Sequence, residues 1–225
     1  MRTFPTPAPV SAVLDIPAGR VRFIAADRTD TTVEVLPADA SKARDVKAAE
    51  ETTVEYDDGV LRIAAAPAKN RMDRVLGPSG AVEVTVRLPA GSHVEATAAA
   101  EFRGVGRLGD VTIEGAHGPV KLDETASARL TVLDGDVSVG RLGGPAEIST
   151  RRGDLRVTEA VHGTVTLRTE SGGIEVGAAR GVSAALDAGT GHGRVHNALR
   201  NADGAAAGLT IHATTGHGDI TARSL

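Results

Sequence analysis

The sequence predicts an all-β fold, a right-handed-type β-solenoid (β-helix) of about six short coils preceded by an N-terminal β section. Two observations carry this. Between Leu130 and Leu225, apolar residues recur two apart in short runs, the period of a strand with one buried face. Between the runs recurs a turn of glycine, one further residue and an aliphatic: Gly118-Pro119-Val120, Gly135-Asp136-Val137, Gly153-Asp154-Leu155, Gly172-Gly173-Ile174, Gly193-Arg194-Val195 and Gly218-Asp219-Ile220. The steps between leading glycines are 17, 18, 19, 21 and 25 residues, with a second strand lying inside each step. A unit this small cannot bury its apolar face alone but can when stacked on copies of itself. An antiparallel meander would also place glycines at turns, but it does not explain why one phrase returns at two-strand intervals.

The elements before the repeat are less regular. Residues 13–17, 21–24 and 32–36 read as strands, the first two separated by a turn at Ala18-Gly19. Residues 39–51, rich in Ala, Lys and Glu, predict a short helix with Ser41 as its cap. Residues 52–66 predict a hairpin about Asp57-Asp58-Gly59. Residues 67–80 read as an irregular loop carrying Lys69, Arg71 and Arg74, a solvated segment or a small patch for an anionic partner. Residues 81–88 alternate through Val82, Val84, Val86 and Leu88 and end at Pro89-Ala90-Gly91, echoing Ile16-Pro17-Ala18-Gly19. The expected organisation is an N-terminal β section or cap over 1–80 and solenoid repeats over 81–225, forming one continuous unit.

Composition narrows the function. Aromatic residues make up 2% of the chain: Phe4, Phe23, Phe102 and Tyr56. Ligand pockets and single-strand nucleic-acid platforms lean on aromatic walls, and little is present to build either. A net charge of −4 gives no global attraction to nucleic acid. The absence of cysteine removes disulfides, thiolate metal sites and cysteine nucleophiles. The N-terminal residues enter no apolar run of signal-peptide length and no membrane-spanning segment follows, so a cytoplasmic location without membrane insertion is expected.

Leu14-Asp15-Ile16-Pro17-Ala18-Gly19, Thr32-Val33-Glu34-Val35, Asp58-Gly59-Val60-Leu61-Arg62-Ile63, Leu88-Pro89-Ala90-Gly91 and the Gly-Asp-aliphatic turns together resemble a bacterial β-strand-repeat family labelled adhesin-like, a widespread domain of unknown function. The resemblance covers essentially the whole chain. It implies a β-helical solenoid and supplies no catalytic residues or cofactor.

Ordinary turn chemistry accounts for most of the candidate sites. Gly104-Val105-Gly106-Arg107-Leu108-Gly109 matches G-x-G-x-x-G, but residues 110–114 read as a strand where a dinucleotide site needs a helix. Thr190-Gly191-His192-Gly193 and Thr215-Gly216-His217-Gly218 are matched phrases. If their coils stack in register, His192 and His217 are neighbours, and with Asp219 they form the one candidate metal site; histidine beside a turn glycine is otherwise commonplace. Asp136 and Asp154 begin an acidic ladder of the kind that polysaccharide-cleaving β-helices use, but Gly173 and Arg194 interrupt it. Arg151 and Arg152 are the candidate patch for an acidic partner. The chain stops just after its last strand begins, so Leu209, Ile211, Ile220 and Leu225 are expected to line an open C-terminal coil.

The expected function is therefore non-enzymatic and cofactor-free: a scaffold or protein-interaction module that binds itself, as a homo-oligomer, or another protein through that end. The alternative is a carbohydrate-binding or carbohydrate-active β-helix protein acting on envelope polysaccharide, which would need a groove of carboxylates and aromatics.

Overall fold

The computed structural model describes residues 1–66, 80–97 and 101–225; the basic residues Lys69, Arg71 and Arg74 lie outside the described residues. The chain opens with β1 (Arg2–Pro5), β2 (Ser11–Asp15), β3 (Gly19–Ala26) and β4 (Asp30–Pro37), followed by helix α1 (Ala43–Glu51). β5 (Thr53–Asp57) and β6 (Val60–Ala64) form the expected hairpin, and β7 (Val82–Pro89) and β8 (His93–Thr97) follow. Two long strands come next, β9 (Glu101–His117) and β10 (Val120–Asp134). The repeat continues as β11 (Val137–Leu142), β12 (Ala146–Arg152), β13 (Leu155–Ala160), β14 (Gly163–Ser171), β15 (Ile174–Ala178), β16 (Ala184–His192), β17 (Val195–Ala198), β18 (Leu209–His217) and β19 (Ile220–Ser224).

The strands stack as a β-solenoid in two ladders of parallel strands. One runs β8, β9, β10, β12, β14, β18, β16. The other runs β3, β9, β10, β11, β13, β15, β19, β17. β9 and β10 pass from one ladder to the other, so the 19 strands of the described residues belong to one open sheet. The G-x-G-x-x-G match lies at this crossing in β9: Gly106 has φ +80° and its N–H donates to the Asp123 carboxylate, so these glycines bend a strand. Inward residues pile in columns, for example Val137, Leu155, Ile174 and Ile220, each buried. The predicted alternation is this stacking seen from the side.

The order of the last coils departs from the sequence. β18–β19 does not follow β16–β17 at the end. It is inserted between β14–β15 and β16–β17, pairing in register with both. Leaving β15, the chain must rise two strand spacings of about 4.8 Å each, and residues 179–183 carry it past the gap that β18–β19 later fills. Residues 199–208 bring it back, tied down where Ala184 N–H donates to the Arg200 carbonyl and Asp203 N–H to Ser183 Oγ. The long 21- and 25-residue steps are these two detours. Leu209, Ile211 and Ile220, expected on an open end, are fully buried between neighbouring coils, and Leu225 lies along the side of the stack with its N–H on the Ala178 carbonyl. That expectation is corrected: the outermost coil is β16–β17.

The other end uses the same device. β2 and β3 sit between β6–β7 and β8–β9, so residues before and after position 80 share both ladders. There the pairing turns antiparallel, with β5 on β6, β4 on β7 and β1 on β4. The Asp58-Gly59 turn of the hairpin has φ +44° and +78°, both left-handed, as a two-residue connection requires. Helix α1 packs beside β4, held by Ala81 N–H donating to the buried Asp45 carboxylate. Ser41 does not cap it: the residue preceding the helix is Lys42, and Ser41 instead donates both its N–H and its hydroxyl to Asp39 Oδ1 at 3.0 and 2.6 Å. With Lys42 Nζ also 3.1 Å away, these bonds hold the Asp39 carboxyl at about 2, below its ordinary 3.8.

Close coil stacking depends on the corner glycines. A Cβ on Gly153 would collide with the Gly135 carbonyl oxygen, and its φ of +133° disfavours any other residue. Gly189, by contrast, has open space around its Cα. We expect Gly153→Ala to lower the free energy of urea unfolding by about 2–4 kcal/mol and Gly189→Ala to change it by less than about 1 kcal/mol. Because the Asp39 carboxyl is held low, the ionised form is favoured by folding, so its contribution is complete above pH 3.8 and is lost as pH falls towards 2. An NMR titration of the Asp39 carboxyl carbon should have its midpoint near 2; a midpoint at the ordinary value would show that the Asp39–Ser41 turn does not form.

Candidate functional site

The corners of the solenoid hold the chemically interesting side chains, and two contacts recur among them. Three residues before four of the corner glycines, Gly153, Gly172, Gly218 and Gly193, stands a threonine: Thr150, Thr169, Thr215 and Thr190. Its hydroxyl donates to the glycine carbonyl of the coil beneath: Thr169 to Gly153 at 3.2 Å, Thr215 to Gly172 at 2.9 Å and Thr190 to Gly218 at 2.9 Å. One residue after the glycine, an aspartate carboxylate accepts the backbone N–H of the coil above: Asp136 from Asp154, Asp154 from Gly173 and Asp219 from Arg194, at 2.7–2.9 Å. The acidic ladder is therefore engaged in joining coils, and Asp219, through the inserted coil, stands between the Gly173 and Arg194 positions that interrupt it in sequence. The threonine column was missed in the sequence, although its Thr-x-x-Gly spacing is plain there once the corner is known.

The exposed column at this corner reads His117, Asp134, Arg152, Ser171, His217, His192 across successive coils. The structure brings His192 and His217 together: they are partners in register and their rings stack with centroids 4.7 Å apart and planes 3° from parallel. It does not add Asp219 to them, because that carboxylate holds the Arg194 N–H and lies 3.6 Å from the Arg194 guanidinium. Among the described residues no group of three or more His, Asp or Glu stands together to hold a metal. Of the other histidines, His212 faces the Asp187 carboxylate at 3.3 Å.

Arg151 and Arg152 line a shallow cleft of about 250 Å³ with His117, Leu133, Asp134 and Glu170. Arg151 lies 4.0 Å from Glu170, and Arg152 makes no ion pair among the described residues. The four aromatic residues are taken up elsewhere: Phe23 stacks on Phe102 in the core, and Phe4 packs against Tyr56 with rings tilted by 36° near the N-terminal end. A carbohydrate platform on the solenoid face has no aromatic side chain to use.

The remaining candidate surface is the outer coil. Among the described residues, β16 and β17 are each paired on one side only. Their inward row includes Leu186, partly buried, and Val195, which is 45% exposed.

The family model for Toastrack DUF4097 matches residues 13–223. The chain belongs to this family. None of the curated proteins matches it. Among solved structures it is similar to a candidate adhesin from Bacteroides fragilis, at 13% identity and a TM-score of 0.56, covering 98% of this chain and 95% of that one. A cell adhesion protein proposed from Clostridium sporogenes matches at 12% identity and a TM-score of 0.38, covering 100% and 98% of the two chains. A lipid-binding candidate from Parabacteroides distasonis matches at 10% identity and a TM-score of 0.39, covering 98% and 95%. At this identity the Bacteroides likeness shows the fold alone. The Toastrack assignment agrees with the family resemblance read from the turn motifs.

The Thr–Gly contact is a testable part of the Toastrack corner. Thr215 is buried, and Thr215→Val keeps its shape while leaving the Gly172 carbonyl without its donor. Unfolding in urea should show a loss of about 1–2 kcal/mol, whereas Thr214→Val at the neighbouring exposed position should stay within about 0.5 kcal/mol.

Proposed function

We propose that this Toastrack chain is a non-enzymatic scaffold or protein-interaction module that docks through its outer coil, β16–β17, to a second copy of itself. The observation that carries the reading is the one-sided pairing of both outer strands. An unpaired strand edge is a template for another strand, and this one spans the two strands of a whole coil with Leu186 and Val195 in its inward row. A two-fold axis through the Gly193 corner sets β16 of one copy antiparallel to β17 of the other. Such an isologous contact closes after two subunits. The description of the Bacteroides fragilis neighbour as an adhesin fits a binding role. So does the use of the acidic ladder as backbone acceptors, since it leaves Asp136, Asp154 and Asp219 committed to structure.

Light scattering after size-exclusion chromatography tests this. The intact chain should show a concentration-dependent mass above 22.9 kDa, and the Leu186→Lys/Val195→Lys variant should return to 22.9 kDa with unchanged circular dichroism. A mass of 22.9 kDa at every concentration would remove self-association. A larger mass that the variant leaves intact would place the contact elsewhere.

A further inference from the structure

We propose that His192 and His217 form a two-imidazole site for a divalent first-row transition metal ion, with Cu²⁺ bound in preference. The two rings are already brought together, in register on adjacent coils and stacked 4.7 Å apart at an exposed corner. Coils β16–β17 and β18–β19 are direct neighbours in the stack, which brings together residues 25 apart in sequence.

Each histidine is flanked by glycine on both sides, Gly191 and Gly193 around His192, Gly216 and Gly218 around His217. No adjacent side chain crowds either ring. Stacked parallel rings do not aim two nitrogens at one point, so chelation requires the rings to tilt until the nitrogens are roughly 3 Å apart, each about 2.0–2.1 Å from the metal. Exposed side chains make such rotations freely.

The ligand set selects the metal. Imidazole nitrogen without thiolate or carboxylate suits copper, nickel and zinc and not magnesium or calcium, and the ordinary order of affinities puts Cu²⁺ first. Asp219 is excluded by its bonds to Arg194. The remaining coordination positions face solvent and are filled by water. The ion binds the neutral ring nitrogens, so protons compete with it for both ligands.

The test is titration of the full chain with copper(II) alone at neutral pH, followed by calorimetry and electron paramagnetic resonance. The intact chain should take up one copper ion with a spectrum showing two nitrogen ligands. His192→Ala and His217→Ala should each weaken binding at least about tenfold, or about 1.4 kcal/mol, while His212→Ala leaves it unchanged. Circular dichroism should be the same for all four proteins, since the altered side chains are not part of the core. The proposal is overturned if the intact chain binds copper no more tightly than the His192→Ala/His217→Ala double variant, or if only one of the two single substitutions matters. Neither outcome depends on whether the chain self-associates, which is read separately by mass.

Discussion

The structure depends on backbone meeting backbone at the glycine corners. Gly135, Gly153, Gly172, Gly218 and Gly193 each lie so close to the glycine carbonyl of the coil beneath that no Cβ fits between. That contact sets the coils at strand spacing and leaves a row of carbonyls that must be satisfied in a buried place. The threonine column satisfies them from the inside, and the Asp136, Asp154 and Asp219 carboxylates take up N–H groups on the outside. Hydrophobic burial along the inward columns provides the driving force, but it is the corner that makes the register unique, because a shift by one residue would put a Cβ where only hydrogen fits and turn each inward column outward.

With register held at every corner, the chain need not add coils in sequence order. A coil carrying the Thr-x-x-Gly phrase and matching alternation fits any gap of the right height. The inserted coil β18–β19 meets both conditions, and β2–β3 near the other end is inserted by its alternation and its corner Gly19, with Ile16 in the threonine position. Inward residues become smaller toward the outer coil in one column, Leu167, Ala213 and Ala188, and Val176 gives way to Ala222 in another. A close-packed interior with shrinking side chains draws its walls together. The outer coil can therefore cover Ile211, Ala213, Ile220 and Ala222 completely while leaving its own strand edges unpaired.

This threading also decides what stands beside what at the surface. In sequence, Arg152, Ser171, His192 and His217 each stand just before a corner glycine, but their order along the stack is not given. In space they are successive steps of one exposed column, with Ser171 followed by His217 and then His192. The open edge belongs to β16–β17 because β18–β19 lies inside it, and the exchange places Ser171 beside His217 rather than beside His192.

The sequence by itself determined the local architecture. Apolar residues two apart at Val165, Leu167, Ile174 and Val176 mark strands with one buried face, and a recurring Gly-Asp-aliphatic turn marks corners, because period and backbone freedom are properties of short segments. It also suggested that His192 and His217 share a corner, since identical phrases occupy equivalent places in a repeat. It did not disclose which coil is outermost. Leu209, Ile211 and Ile220 look the same in sequence whether they end the stack or lie within it, because alternation reports which side of a strand is buried and says nothing about which coils lie above and below. Only the tertiary pairing decided that. The one trace in the sequence was the lengthening of the glycine steps from 19 to 21 and then 25 residues, the added chain needed to pass a gap and return to fill it.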